Sequence, residues 1–295
     1  MFDTRRSPRG ARRRVSSLGA LVATAALGAG LLGVAHFSQR SDAAPRISPQ
    51  ITTLRPRPSA GVLTGTATGF AAPPEDGPIG VAQAPVTVRY TFDGGADRPI
   101  TATNGTYALR PLGQNGGTLS LVPQGSGLAV RYPARCTLLR EGQCPRAILE
   151  GTRDDTLNPG NRPMRYGASI LMTHSDLSDG ANVFQKGYSV GGVSQFKLQV
   201  DHRQGHPSCV IASRTRIYRA EPMLDVADGS WHDLTCARTQ NRLTMTVDGV
   251  EWASVPVPTR LSIANAEPLR VGGKGANKGN DQFAGQIDNV FLAIG

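Results

Sequence analysis

LTMTVDGVEWASV runs from Leu243 to Val255, and its pattern decides how the chain folds. Apolar and polar side chains alternate on both sides of Asp248-Gly249, a dipeptide that forms the two-residue loop of a β-hairpin because both of its residues accept positive φ. That turn places Val247 opposite Val250 and is expected to place Met245 opposite Trp252. Leu243, Met245, Val247, Val250 and Trp252 then share one face, with Thr244, Thr246 and Glu251 on the other. On this alternation Trp252 belongs to the core rather than to a sugar-stacking platform.

The same texture extends outward. VTVRYTF begins just after Pro85, and Asp93-Gly-Gly follows it as a turn. Asn104-Gly105 separates two strand-like runs, a strong hairpin signal. GGTLSLVP, GLAVRYP, YGASILMTH, NVFQKGYSV, SQFKLQVD, CVIASRTRIYRA, WHDLTCAR, PLRVGG and GQIDNVFLAI are further strand candidates. No helical period is sustained after Pro85. Many short strands bounded by turns read as one all-β sandwich over 85–295. The composition agrees: 35 Gly and 21 Pro against only 18% charged residues suit turns and strands better than amphipathic helices.

The formal net charge is +10, but it is not organised for nucleic acid. Residues 1–44 hold seven Arg and two Asp, a net of +5, and the rest is spread thinly with no basic stripe between aromatics. Nucleic acid is therefore excluded as a partner. Arg5, Arg6, Arg9, Arg12, Arg13 and Arg14 precede Val15–Phe37, a run of 23 residues without formal charge. Residues 1–44 are expected to be a signal peptide or an N-terminal membrane anchor, with the basic flank inside. Small-x-small sequences at Gly33-Val-Ala35 and Ser41-Asp-Ala43 offer cleavage. Residues 45–84, rich in Pro, Ala, Gly and Thr, read as a disordered linker. The protein is expected to be secreted or held on the outer side of the membrane, with membrane contact only through an uncleaved N-terminal segment. Four cysteines suit that compartment. Three pairings exist. Cys136–Cys144 with Cys209–Cys236 is preferred because each pair brackets a turn-rich segment.

QKGYSVGG contains Gly187-Tyr-Ser189-Val-Gly191, a match to the G-x-S-x-G of serine hydrolases. A nucleophile elbow needs a helix after the serine. Here two glycines and an alternating strand follow, so a turn between two strands is expected. Asp201-His202-Arg-Gln-Gly-His206 contains an H-x₃-H spacing, but Gly205 and Pro207 forbid the helix that would aim both rings at zinc, and a solvated loop is expected. His174, Ser175 and Asp176 are sequence neighbours on one element and do not converge as a triad.

Four phrases occur in order: D/G-x-W-H and then a strand ending in D-G, both within ADGSWHDLTCARTQNRLTMTVDG (Ala227–Gly249), PLRVGG (268–273) and FAGQIDNVFLAIG (283–295); upstream, YTFDGG resembles a first strand. They resemble the laminin G-like modules of the concanavalin A-like lectin/glucanase superfamily, in a single-module exported bacterial form. The resemblance covers roughly 85–295 and implies an antiparallel two-sheet jelly-roll sandwich, all-β. It implies a packed Trp231. It also implies a structural calcium between the first and last strands, with Asp93 and Asp288 at the matching positions. Glucanases of the superfamily carry Glu-x-Asp-x-Glu on one strand. None of the six glutamates here has Asp two residues later. The expected function is a non-enzymatic binding module for carbohydrate or cell-envelope glycan, with Asn182, Gln185, Lys186 and Tyr188 as a polar-aromatic ligand-binding group. A structural or adhesive module binding a cell-surface protein is the alternative, and a hydrolase using Ser189 is the third reading.

Overall fold

The computed structural model describes residues 83–178, 180–189, 193–201 and 204–295. The leader and nearly all of the linker expected at 1–44 and 45–84 lie outside the described residues. No helix among the described residues is long and apolar enough to cross a membrane.

The described chain forms strands β1 (Val86–Tyr90), β2 (Leu109–Gln114), β3 (Ser120–Gln124), β4 (Gly127–Tyr132), β5 (Arg146–Gly151), β6 (Met164–Thr173), β7 (Ala181–Gly187), β8 (Gln195–Val200), β9 (Pro207–Ala212), β10 (Ile217–Ala220), β11 (Asp228–Arg238), β12 (Arg242–Val247), β13 (Val250–Pro256), β14 (Leu269–Val271) and β15 (Gly285–Ile294). Every pairing is antiparallel. Sheet A runs β13-β12-β11-β6-β15-β4-β3, with β1 also on β15; sheet B runs β10-β9-β8-β7-β14-β5-β2. This is the expected two-sheet sandwich.

Alternation puts one side of each strand into a single core. Tyr166, Ala168, Ile170 and Met172 of β6 face Phe184, Phe196, Leu198 and Ile211 of sheet B, and all belong to one buried cluster. The whole cluster lies between Val88 and Ile294. The sandwich sits in the compact unit Glu75–Gly295. It thus has a core of its own. Cys209 of β9 and Cys236 of β11 are bonded across the core with Cα atoms 5.5 Å apart, joining the two sheets, and Cys136–Cys144 closes a loop ahead of β5.

The deciding hairpin forms as read at its turn. Asp248 and Gly249 have φ of 50° and 81°, and Val247 opposes Val250. The next pair differs. A register shift sets Met245 against Ala253, so Trp252 is the extra residue of a bulge. β13 is also an edge strand with its outer side in water. Trp252 and Val250 are consequently about half exposed, at 52% and 55%, and neither is core. CVIASRTRIYRA is likewise two strands, not one: Ser213 Oγ accepts from the amides of Thr215 and Arg216 and turns β9 into β10. Gly272 shows why PLRVGG must end in glycine. Its φ is +87°, and a Cβ there would lie 1.9 Å from the Tyr132 ring.

β15 positions the candidate sites. Gly285–Ile287 pairs with β4 and Val290–Ile294 with β1, on the same edge. Asp288 and Asn289 fall at the junction, where a bulge against β6 breaks the register and Asn289 takes a φ of 50°.

Candidate functional site

One row of side chains crosses the outer face of sheet B. Registers align Arg219, Val210, Lys197, Gln185, Arg270, Glu150 and Arg110 from edge to edge. Phe196 and Leu198 point inward, so Lys197 and its row point out. Arg270 Nε donates to Glu150 at 2.8 Å and Nη1 to Glu267 at 3.0 Å, while Arg110 donates to the other Glu150 oxygen at 3.2 Å. Burial works to lower the Arg270 pKa, but its hydrogen bonds to the Glu150 and Glu267 carboxylates outweigh it and hold the guanidinium charged. The guanidinium lies 5.3 Å from the centre of the Tyr188 ring. Tyr188 Oη in turn donates to the Lys274 carbonyl at 3.0 Å. Lys274 Nζ reaches Asp281 at 2.6 Å, and Lys197 stands 3.9 Å from the same carboxylate oxygen. Burial pulls the Lys197 pKa down to about 8 against the opposing pull of Asp281. A cleft of about 440 Å³ opens over this end of the sheet, lined by Leu112, Glu150, Tyr188, Arg270, Lys274 and the 275–280 loop.

Of the four residues expected to bind ligand, only Tyr188 lines the cleft. Asn182, Gln185 and Lys186 are each 0% exposed. Asn182 Nδ2 donates to Gln185 Oε1 at 2.6 Å, and Gln185 Nε2 to the Gly187 carbonyl at 3.1 Å. Lys186 points to the core side at the rim, where Nζ donates to Asn158 Oδ1 and the Asn265 carbonyl, both at 2.9 Å, and to Asn265 Oδ1 at 3.2 Å. Burial lowers its pKa to about 8, with Asp155, Asp154 and Glu267 opposing. These three hold the strand and its covering loops and are not open to a ligand. Arg270, Lys274 and Glu150 were missed. A signal existed for Arg270: a charged residue between Leu269 and Val271 on a central strand has to serve a partner.

A second row lies on the outer face of sheet A. Ser169 of β6 stands between Asp233 of β11 and Asp288 of β15. Ser169 Oγ donates to Asp233 Oδ1. Asp288 Oδ2 accepts from Asn289 Nδ2 at 2.9 Å, and Asp288 Oδ1, buried, has no hydrogen-bond partner. Burial first, then the charges of Asp93 and Asp233, push the Asp288 carboxyl up to about 6 despite Arg89. Asp93 Oδ1 accepts from the Leu128 amide at 2.8 Å, which ties the end of the first strand's turn to β4. These carboxylates are hard donors of the kind calcium takes, but Asp93, Asp233 and Asp288 are not a group whose ligand atoms gather within 4.8 Å of one another among the described residues, so they do not fit the calcium site expected at Asp93 and Asp288.

Other clusters are committed elsewhere. Asp201, His206 and Glu221 converge, with ligand atoms within 4.8 Å, and His206 stands partly exposed in the loop between β8 and β9, as expected. However, Asp201 Oδ1 already accepts from the amides of Gln204 and His206, and Glu221 is paired with Arg219 at 2.9 Å. His174 bonds Asp225 at 2.7 Å rather than its sequence neighbours. Ser189 is exposed in a bend after β7, and the next described element is the strand β8, so the described residues hold no nucleophile elbow.

Residues 168–292 match a laminin G family described as the concanavalin A-like lectin/glucanases superfamily. That part of the sandwich is similar in sequence to laminin G modules. A search of the curated proteins found no match. Among solved structures, domain 4 of AbnA, an extracellular GH43 arabinanase from Geobacillus stearothermophilus in complex with arabinotriose, is similar at 15% identity and a TM-score of 0.52, over 70% of this chain and 91% of that one. The binding domain of Paraclostridial Mosquitocidal Protein 1 is similar at 12% and 0.51, over 69% of this chain and 48% of its own. The binding domain of botulinum neurotoxin DC in complex with rat synaptotagmin II gives 12% and 0.50, over 70% and 47%. The chain thus spans about half the length of the two toxin structures. At these identities the likeness is one of fold.

Proposed function

We propose that the laminin G-like sandwich is a non-enzymatic binding module that works outside the cytoplasmic membrane and holds a glycan in the cleft over Tyr188 and Arg270. The observation that carries this reading is the cleft itself. An aromatic ring fixed by a cation and a carbonyl stands beside guanidinium, carboxylate and ammonium groups, the mixture that binds hydroxyl-rich rings by their faces and edges. The use of this fold by the arabinotriose-bound domain supports it.

A glycan array probed with residues 75–295 tests the cleft. The expected result is a set of related oligosaccharides whose binding falls at least about tenfold in Tyr188→Ala and Lys274→Ala, as for loss of a central aromatic contact. Tyr218→Ala, on the far edge strand, leaves it unchanged. No hit above background, or hits indifferent to Tyr188→Ala, would overturn the assignment.

A further inference from the structure

Thr137-Leu-Leu-Arg140 stands apart from the rest of the surface. Leu139 is 105% exposed and meets water without support from the body, and Leu138 beside it is 53% exposed, about half of it covered. An isolated exposed leucine is ordinary, but a pair at the tip of a fixed loop is not. The loop is fixed. The Cys136–Cys144 disulfide closes it, and Asn115 Nδ2 donates to the carbonyls of Gly142 at 2.7 Å and Cys144 at 3.0 Å. The buried Arg146 donates to the Glu141 carbonyl at 2.6 Å, and the Gly279 amide donates to Glu141 Oε1 at 2.7 Å. Glu141 is further paired with Lys278 at 3.5 Å and Arg146 at 3.3 Å, which offsets the one negative charge in the loop. Arg135 and Arg140 flank the leucines, both exposed and without an ion pair among the described residues.

We infer that this loop inserts into an anionic lipid surface. The tip is convex, so a rigid protein partner would need a matching pocket, whereas acyl chains yield to any pair of protruding leucines. Arginines on either side of the apolar tip sit at the depth of anionic headgroups when the tip is buried, and each adds attraction that salt screens. Apolar burial and charge together make binding reversible and dependent on lipid composition. The closed loop loses little freedom on insertion because its base is already held.

Vesicle sedimentation with residues 75–295, which carry their own core, provides the test. Wild type is expected to bind vesicles of phosphatidylcholine with about 30% phosphatidylglycerol and to bind phosphatidylcholine alone at least about tenfold more weakly. The double substitution Leu138→Ser/Leu139→Ser should abolish binding to both. Arg135→Gln/Arg140→Gln should remove the preference for anionic lipid while leaving the weak binding to phosphatidylcholine. Both variants should keep the wild-type melting temperature, since the four side chains contact little. Leu139→Trp should still bind, with its emission shifted to the blue on anionic vesicles. Absence of wild-type binding, binding indifferent to the leucines, or no emission shift would each overturn the inference.

Discussion

On the outer face of sheet A, Arg165, Thr235 and Phe291 line an open groove of about 450 Å³ that water fills. On the outer face of sheet B, Asn182 and Gln185 of β7 are 0% exposed and Gln195 of β8 is 2% exposed. The central strands of sheet A are longer, 10 or 11 residues in β6, β11 and β15 against 7 and 6 in β7 and β8, and the two faces differ in the chain laid over them. Apart from the buried Ser169 and Asp288, sheet A leaves outer-face side chains such as Arg165 and Asp233 to solvent. Sheet B is covered by segments around Asn265 and Lys274–Asp281, and its amides must find partners within the protein. Gln185 and Gln195 both donate to the Gly187 carbonyl at 3.1 Å, and Asn182 donates to Gln185. A buried amide that loses its partner costs about 1–3 kcal/mol, so the covered face is where substitution hurts.

The sharpest break of this contrast is a pair of alanine substitutions. Gln185→Ala should lower unfolding free energy by about 3 kcal/mol, from the cavity and the amides it strands. Arg165→Ala on the open face should cost less than about 0.5 kcal/mol. Urea denaturation reads both, and equal losses would mean that the two faces do not differ as described.

A smaller effect is expected at Asp288, a buried carboxylate on the otherwise open sheet. Its folded pKa is raised to about 6, so the folded state holds the proton more tightly than the unfolded one. The stability this contributes is complete below the ordinary aspartate range near pH 4 and is lost as pH rises through about 6. Wild type should therefore weaken between those values, and Asp288→Asn should stay flat and be about 2 kcal/mol more stable at pH 7. Identical pH profiles for the two proteins would remove Asp288 from the junction's electrostatics.

The smallest effect tests the bulge in β13. Trp252→Thr should change stability by about 0.5 kcal/mol or less, because the ring is half in water. A tryptophan packed in the core would cost about 3–5 kcal/mol on truncation, so one thermal melt separates the two placements.

Strands and tight turns were legible because their signals are local. Asp248-Gly249 names its own turn, and the alternation in β6, β8 and β12 names its own inward face. The two disulfides followed from bracketing. The Ser213–Arg216 turn was missed because a serine hydroxyl does there what glycine or asparagine usually does. Trp252 was misplaced because a bulge leaves no mark in a two-residue period. The ligand group was misplaced for a reason of distance: whether Gln185 meets water depends on loops some 80–95 positions away, and nothing in NVFQKGY reports them. Asp233 was passed over because its partners, Ser169 and Asp288, come from two other strands.

The first and last strands lie side by side, Val86 against Ile294, and a Cβ on Gly295 would lie 3.8 Å from Pro85. The sandwich is therefore nearly a ring in its connectivity, opened at one point. A polypeptide fused before Pro85 and another fused after Gly295 would leave from the same corner, at the end of the β1–β15 pair away from Asp288. For an engineer this makes the module a single-socket part: two passengers can be displayed from one corner, or the socket can be closed with a short linker and the ring reopened at an exposed turn such as Asp248-Gly249.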